Sequence, residues 1–548
     1  MLQSWALFLI SAAYVGLLFG IAWFGDRRHG AGAGAGAGPR RPWIYSLALG
    51  VYCTSWTFYG AVGRAVESGW DFLPIYLGPF LVFALGHPLV GRIIDISKRH
   101  NITSIADFIA ARYGRQQQLG MLVALIALVG VLPYIALQLK AISVSVSVLA
   151  APSAGPHPDS AGLMALLLAL FAILFGTRQV VSSENHHGMV LAIAFESLVK
   201  LLAFVAVGSY VTWGVFHGLR PAYAEALSLP QVAGPPGDGS WRVGFATQTV
   251  LAMSAILCLP RQFHVAVVES TAPADLRTAR WLFPLYLVLI SLFVLPIAAA
   301  GLQRFPNGVS GDSFLLALPL SHGHGSLALM AYLGGFSAAS SMVIVATIAL
   351  STMLCNEVVM PLLLRRSRSL ALRQDLSGLL KAIRRAAIVV IVGLAYLYYR
   401  LFIGSGTLAQ IGLLSFSAVL LFAPGLVGGA LWRRGSYAGT FAGLSAGFAV
   451  WCYTLLLPTL LGSDSALLRD GPYGVAWLRP QALFGFEGLG LLTHGTLWSL
   501  GINLACYVGI PLLATPRLSE RLQAVRFLGG DEPDGAAAQR PLPAAGAT

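Results

Sequence analysis

The stretch Tyr45-Ser46-Leu47-Ala48-Leu49-Gly50-Val51-Tyr52-Cys53-Thr54-Ser55-Trp56-Thr57-Phe58-Tyr59-Gly60 is apolar enough to lie in a bilayer. It is not written as a plain anchor. Gly50, Thr54 and Ser55 fall where an anchor would carry leucine. Such residues let a helix unwind near the midplane, and the freed carbonyls can then coordinate a cation. The competing reading is close helix packing through small residues.

Outward from this run the same texture continues. The chain has 548 residues, 57% of them hydrophobic and only 10% charged, with a mean hydropathy of +0.74. Soluble domains carry about 25% charged residues. Apolar runs such as Ala165 to Phe175 are continuous rather than alternating, so the spans are helical and not barrel strands. Thirteen spans are expected, near 2–24, 43–63, 72–91, 119–149, 160–176, 188–216, 243–260, 281–301, 325–360, 386–403, 407–431, 437–461 and 488–514. The first lacks a basic leader and a small-residue cleavage site, so it reads as a retained helix. Residues 1–514 form one transmembrane domain in this reading, and 515–548 a short disordered cytoplasmic tail.

The formal net charge of +13 would suit nucleic acid, but its placement argues for topology. With the N-terminus outside and the C-terminus in the cytoplasm, inside segments hold 26 of the 35 Lys and Arg residues. This predicts a multi-pass inner-membrane protein with no nucleic-acid partner. The cluster Arg365 to Arg385, interleaved with leucines, is either an amphipathic surface helix or a plain cytoplasmic loop. Gly30 to Gly38 and Pro230 to Ser240 read as linkers. The five cysteines lie in or beside apolar stretches without a CxxC, which argues against a disulfide framework. His186-His187 and His322-Gly323-His324 lack a carboxylate or cysteine to complete a metal site. No Walker A motif, Gly-x-Ser-x-Gly elbow or His-Glu-x-x-His is present, so no catalytic residues are assigned and no enzyme is expected.

The ninth span carries a row of small hydroxyl residues: Gly334-Gly335-Phe336-Ser337-Ala338-Ala339-Ser340-Ser341, then Thr347, Ser351 and Asn356-Glu357. Hydroxyl oxygens suit a hard cation such as sodium, although they can also bond back to their own helix. Three ionisable residues fall within spans. Glu196 and Lys200 stand one turn apart and could pair, while Lys140 either serves the interior or snorkels to a headgroup. Between spans three and four, Thr103 is placed to cap a helix in which Asp107 and Arg112 could pair.

The pattern Thr103-x-x-x-Asp107-Phe108-x-x-x-Arg112-Tyr113-Gly114, together with Thr54-Ser55-Trp56 and the Ser340-Ser341 pair, resembles the sodium/solute symporter family over nearly the whole chain. Five segments are more specific: Tyr52 to Gly60, Phe72 to Pro79, Leu132 to Lys140, Ala194 to Lys200 and Leu259 to Val265. These resemble the transporter-like input domain of CbrA-type sensor histidine kinases. The resemblance implies an all-α LeuT-type fold, with spans two to six and seven to eleven as inverted repeats. It implies sodium ligands at the carbonyls of Gly50, Cys53 and Ser337 and the hydroxyls of Ser340 and Ser341. It also implies a solute, an amino acid such as histidine, and no organic cofactor. Tyr52, Trp56, Thr57, Tyr134 and Gln138 are the candidate solute-binding residues. Tyr52 stands where some amino-acid symporters of the family carry an aspartate, which weakens the expectation of tight sodium coupling. No kinase region follows. The alternatives are a transporter working alone, a sensory module signalling to a separate histidine kinase, or a truncated chain.

Overall fold

In the computed structural model, residues 4–30, 41–150, 159–176, 187–233, 240–306, 308–366, 375–402, 408–461, 465–514 and 516–529 are described. The described residues are overwhelmingly helical, and the protein is an all-α polytopic membrane protein. Among the described residues, each of the thirteen expected stretches overlaps helical structure. Nine helices among the described residues are long and apolar enough to cross a membrane, and a tenth span is formed if one bent pair is counted together. That pair, Pro74–Ala84 and His87–Arg99, turns by 69° at Leu85-Gly86. Its second half starts with Pro88 near its N-terminus, a position where the missing N–H costs nothing.

Span nine, Gly325–Arg366, runs through the centre, with 89% of its apolar window buried inside the protein. Its small residues permit that position. A side chain at Gly334 would collide with Ala203 of span six and Phe58 of span two. The outer helices are the reverse case: only 28% of the window of Leu491–Leu513 is buried, and its Leu497, Leu504 and Leu512 are exposed. Such an apolar outer face is the surface a bilayer covers.

Span two is interrupted as its small residues suggest. Helix Arg41–Ala48 tightens into a 3-10 turn over Leu49–Tyr52, the backbone becomes extended at Cys53 (φ −75°, ψ 100°), and a wider π turn over Trp56–Gly60 leads into Ala61–Ser68. Span seven breaks likewise. Helix Ser240–Cys258 stops at Leu259 (φ −63°, ψ 130°), and Pro260 opens the next turn, Pro260–Phe263. The two breaks lie in spans two and seven, the first spans of the two inverted repeats that the resemblance implies.

Three local expectations need correction. Ser104, not Thr103, caps helix Ile105–Arg112: its hydroxyl accepts from the Asp107 N–H, while the Asp107 carboxylate accepts from the Thr103 N–H at 3.0 Å. Burial raises the Asp107 pKa, and those Thr103 donors oppose the rise. Arg112 does not pair with Asp107. Its buried guanidinium donates to the carbonyls of Gly429 and Trp432 at 2.9 and 2.8 Å, where a short helix ends and its carbonyls need donors. Finally, residues 518–528 of the expected disordered tail form a helix whose Phe527 is buried, stacking on His100 at 4.7 Å and meeting Phe108 edge-on at 5.2 Å. Residues 530–548, the linker 31–40, most of 230–240, and Leu370 and Leu372 of the basic cluster lie outside the described residues.

Candidate functional site

The break in span two is held by spans four, six and nine. From span four (Gln117–Leu149), the Gln138 side-chain oxygen accepts from the Ser55 N–H at 3.1 Å, while its amide nitrogen donates to the Tyr134 carbonyl. The Tyr134 and Thr54 hydroxyls share a 2.9 Å hydrogen bond. An interrupted helix exposes backbone groups that hydrocarbon cannot satisfy, and these polar side chains satisfy them instead. Tyr52, Thr57 and Gln138 thus spend polar groups on the scaffold: the Tyr52 hydroxyl donates to Ile75 O at 2.8 Å and the Thr57 hydroxyl to Thr54 O at 2.9 Å. Trp56 differs. Its indole N–H is buried with no partner. Its ring and those of Tyr52 and Tyr134 gather round Phe416, with centroids 5.6, 6.2 and 5.5 Å away.

Span six (His187–Val215) brings the charges. Glu196 and Lys200 are almost fully buried but do not pair in contact. The Lys200 ammonium donates to Cys53 O at 2.8 Å, and the Glu196 carboxylate accepts from the Ser340 hydroxyl at 2.7 Å. The break draws the lysine away, because a freed carbonyl is the nearer uncompensated acceptor. Ser337 donates to the Glu196 carbonyl at 2.8 Å and receives a hydrogen bond from the Tyr14 hydroxyl at 2.9 Å. Ser341 turns back to Ala338 O at 3.3 Å on its own helix. Glu196 also borders a water-sized cavity between Leu18, Met189 and Ile344.

The residues present suit a hard cation in chemistry. Cys53 O, the Ser340 and Ser341 hydroxyls and the Glu196 carboxylate are all oxygen donors, and a serine that donates its hydrogen keeps lone pairs for a metal. Gly50 contributes differently. Its carbonyl accepts from the Cys53 N–H at 3.0 Å, and a side chain here would come within 2.9 Å of the Ser197 hydroxyl. Close packing against span six is therefore one of its roles. Lys140 lies nearer the end of span four and is only partly buried, in electrostatic reach of Asp312.

Sequence reasoning missed Arg261. The span limits put it just past span seven, among the cytoplasmic basic residues. The structure buries it to 1% exposure, its guanidinium carbon 4.7 Å from the Tyr134 ring centroid. The signal was available: Leu259-Pro260 is a helix break, and a charge immediately after a break can stay inside the bundle.

No protein-family model matches the chain. It is 24% identical over 427 residues to the uncharacterized symporter YhjB of Bacillus subtilis (strain 168), covering 77% of this chain and 82% of that one. It is 23% identical over 411 residues to the uncharacterized symporter YodF of the same organism, covering 72% and 76%. Among solved structures, a Na+-coupled sialic acid symporter in a substrate-bound outward-open state superposes with a TM-score of 0.66 at 14% identity, over 93% of this chain and 98% of that one. The fold is therefore one that a sodium-coupled symporter uses. The two sequence relatives are described as symporters and not as enzymes.

Proposed function

We propose that this chain is a sodium-coupled secondary transporter of a small organic solute, an amino acid such as histidine. It would sit in the bacterial inner membrane with its N-terminus outside and its C-terminus in the cytoplasm. One observation carries the reading: the Cys53 carbonyl, freed by the break in span two, already binds a cationic group, the Lys200 ammonium at 2.8 Å. A carboxylate and a row of hydroxyls line the adjoining face of span nine. The symporter descriptions of the sequence relatives support the same class. Sodium moving down its gradient would drive the solute, each charge yielding about 2.3 kcal/mol per 100 mV.

The test is uptake of radiolabelled histidine, then other amino acids, into proteoliposomes with and without an inward sodium gradient. Accumulation that needs the gradient supports the proposal. Equal uptake without sodium sinks it.

The same contact favours a second reading. An ammonium on Cys53 O fills part of the place a sodium ion would take, so gain and loss of the Lys200 proton could couple transport to a proton gradient. Uptake driven by an inward pH gradient in sodium-free buffer would select that reading.

A further inference from the structure

We propose that Arg261 anchors a carboxylate group of the solute, at a site between the broken second and seventh spans. This deepens the transport reading by naming a substrate class, and rests on it only for the claim that the bound acid is carried across.

Arginine keeps its charge in any protein environment and presents five N–H donors. At Arg261 the Nε, Nη1 and Nη2 atoms are all buried without a hydrogen-bond partner. No carboxylate among the described residues forms an ion pair with it. The Tyr134 ring offers its face, but it cannot satisfy the donors. A buried guanidinium in that state is strongly destabilising. Arg112 shows how this fold treats an arginine that holds the scaffold together. Its guanidinium reaches three backbone carbonyls. Arg261 is held differently, with its donors unspent.

The surroundings fit a ligand. Gln262 is fully buried with neither amide atom bonded, and the Trp56 indole N–H and Ser55 hydroxyl are likewise unpaired. Tyr134 and Trp56 share Phe416, so the break in span two supplies an aromatic wall beside the guanidinium. Lys200 and Arg261 against Glu196 leave this part of the interior one positive charge in excess, before any ligand arrives. A carboxylate supplies one negative charge and matches the planar fork in two parallel hydrogen bonds. A neutral sugar offers no carboxylate to the fork, and a purely cationic solute would be repelled.

The experiment uses the full chain in nanodiscs, with no gradient. Binding is read by tryptophan fluorescence for histidine, proline and pyruvate, each compared with its carboxamide. Pyruvamide is neutral and isolates the loss of the carboxylate, whereas the two amino-acid amides keep the α-ammonium and are cations. At least one acid should bind saturably and its amide about 100-fold more weakly. Arg261→Gln should cost the acid a similar factor, and Arg261→Lys about 10-fold, because it keeps the charge without the fork. An amide binding as tightly as its acid, unchanged binding in Arg261→Gln, or no binding by any of the three acids would each overturn the proposal. Unliganded stability guards against a folding artefact. Arg261→Gln should unfold no more than about 5 °C below the native chain, and a larger fall would assign Arg261 a structural role instead. Binding of acids through Arg261 without accumulation would sink the transport reading and leave this one standing.

Discussion

Lys200 and Cys53 meet across two spans, the ammonium donating to the carbonyl oxygen at 2.8 Å. Under sodium coupling the lysine is an internal competitor for one ligand of the ion. Lys200→Met should then lower the sodium concentration giving half-maximal uptake by about tenfold, the equivalent of one charge-assisted hydrogen bond. Under proton coupling the same variant should lose gradient-driven uptake while retaining exchange of labelled for unlabelled solute. Sodium titrations of uptake, paired with exchange assays, distinguish the two.

Ser340 gives its hydrogen to Glu196, and removing it leaves a buried carboxyl oxygen without a donor. Ser340→Ala should cost about 1–3 kcal/mol of stability, measurable by thermal unfolding. Ser340→Ala with Ser341→Ala should abolish sodium stimulation of uptake. Full sodium-dependent uptake in the double variant would remove the serines from the ion site.

Gln138 closes the broken second span by accepting from the Ser55 N–H. Gln138→Leu leaves that N–H buried and unpaired, for a loss of about 1–3 kcal/mol. Tyr134→Phe removes only the hydroxyl shared with Thr54 and should cost about 0.5–1.5 kcal/mol. Unfolding of both single variants and the pair would show whether the two supports act together. Additive losses would show that they act separately.

The sequence made spans and breakers legible because each is a local property. Gly50, Thr54 and Ser55 pointed to an unwound segment, and the backbone is extended within it at Cys53. Partners across the bundle were not legible. Glu196 and Lys200 at one-turn spacing suggested a mutual pair, but nothing in span six reveals that a carbonyl of span two and a hydroxyl of span nine stand closer. Arg261 was hidden because counting basic residues by loop treats every arginine beyond a span as solvent-facing. Phe527 was hidden because the surrounding composition is that of a disordered tail, whereas its docking surface, His100 and Phe108, lies far earlier in the chain.

That docking gives a further prediction. Phe527→Ala removes a fully buried ring between His100 and Phe108 and should cost about 3–5 kcal/mol locally. The helix Leu518–Leu528 should then become accessible to protease added from the side carrying the C-terminus, while the transmembrane bundle stays folded. Unchanged proteolysis in this variant would show that the Gln523 and Glu520 hydrogen bonds suffice to hold the helix.

Asp312 sets a pH dependence on the loop face near Lys140. Burial pushes its pKa up to about 6, Glu67 adds to the rise, and the Leu408 N–H and Lys140 oppose it. Unfolded, the carboxyl titrates near its ordinary value of 3.8. Folding therefore favours the protonated form. The stabilisation is complete below about pH 4 and is lost as pH rises through about 6. Because the residue is only partly buried and a lysine lies nearby, the effect should be of order 1–2 kcal/mol. Thermal unfolding of the native chain should rise on acidification from pH 6.5 to 4.5 relative to Asp312→Asn, which has no proton to gain. Parallel curves for the two proteins across that window would show that Asp312 is already solvated and does not contribute.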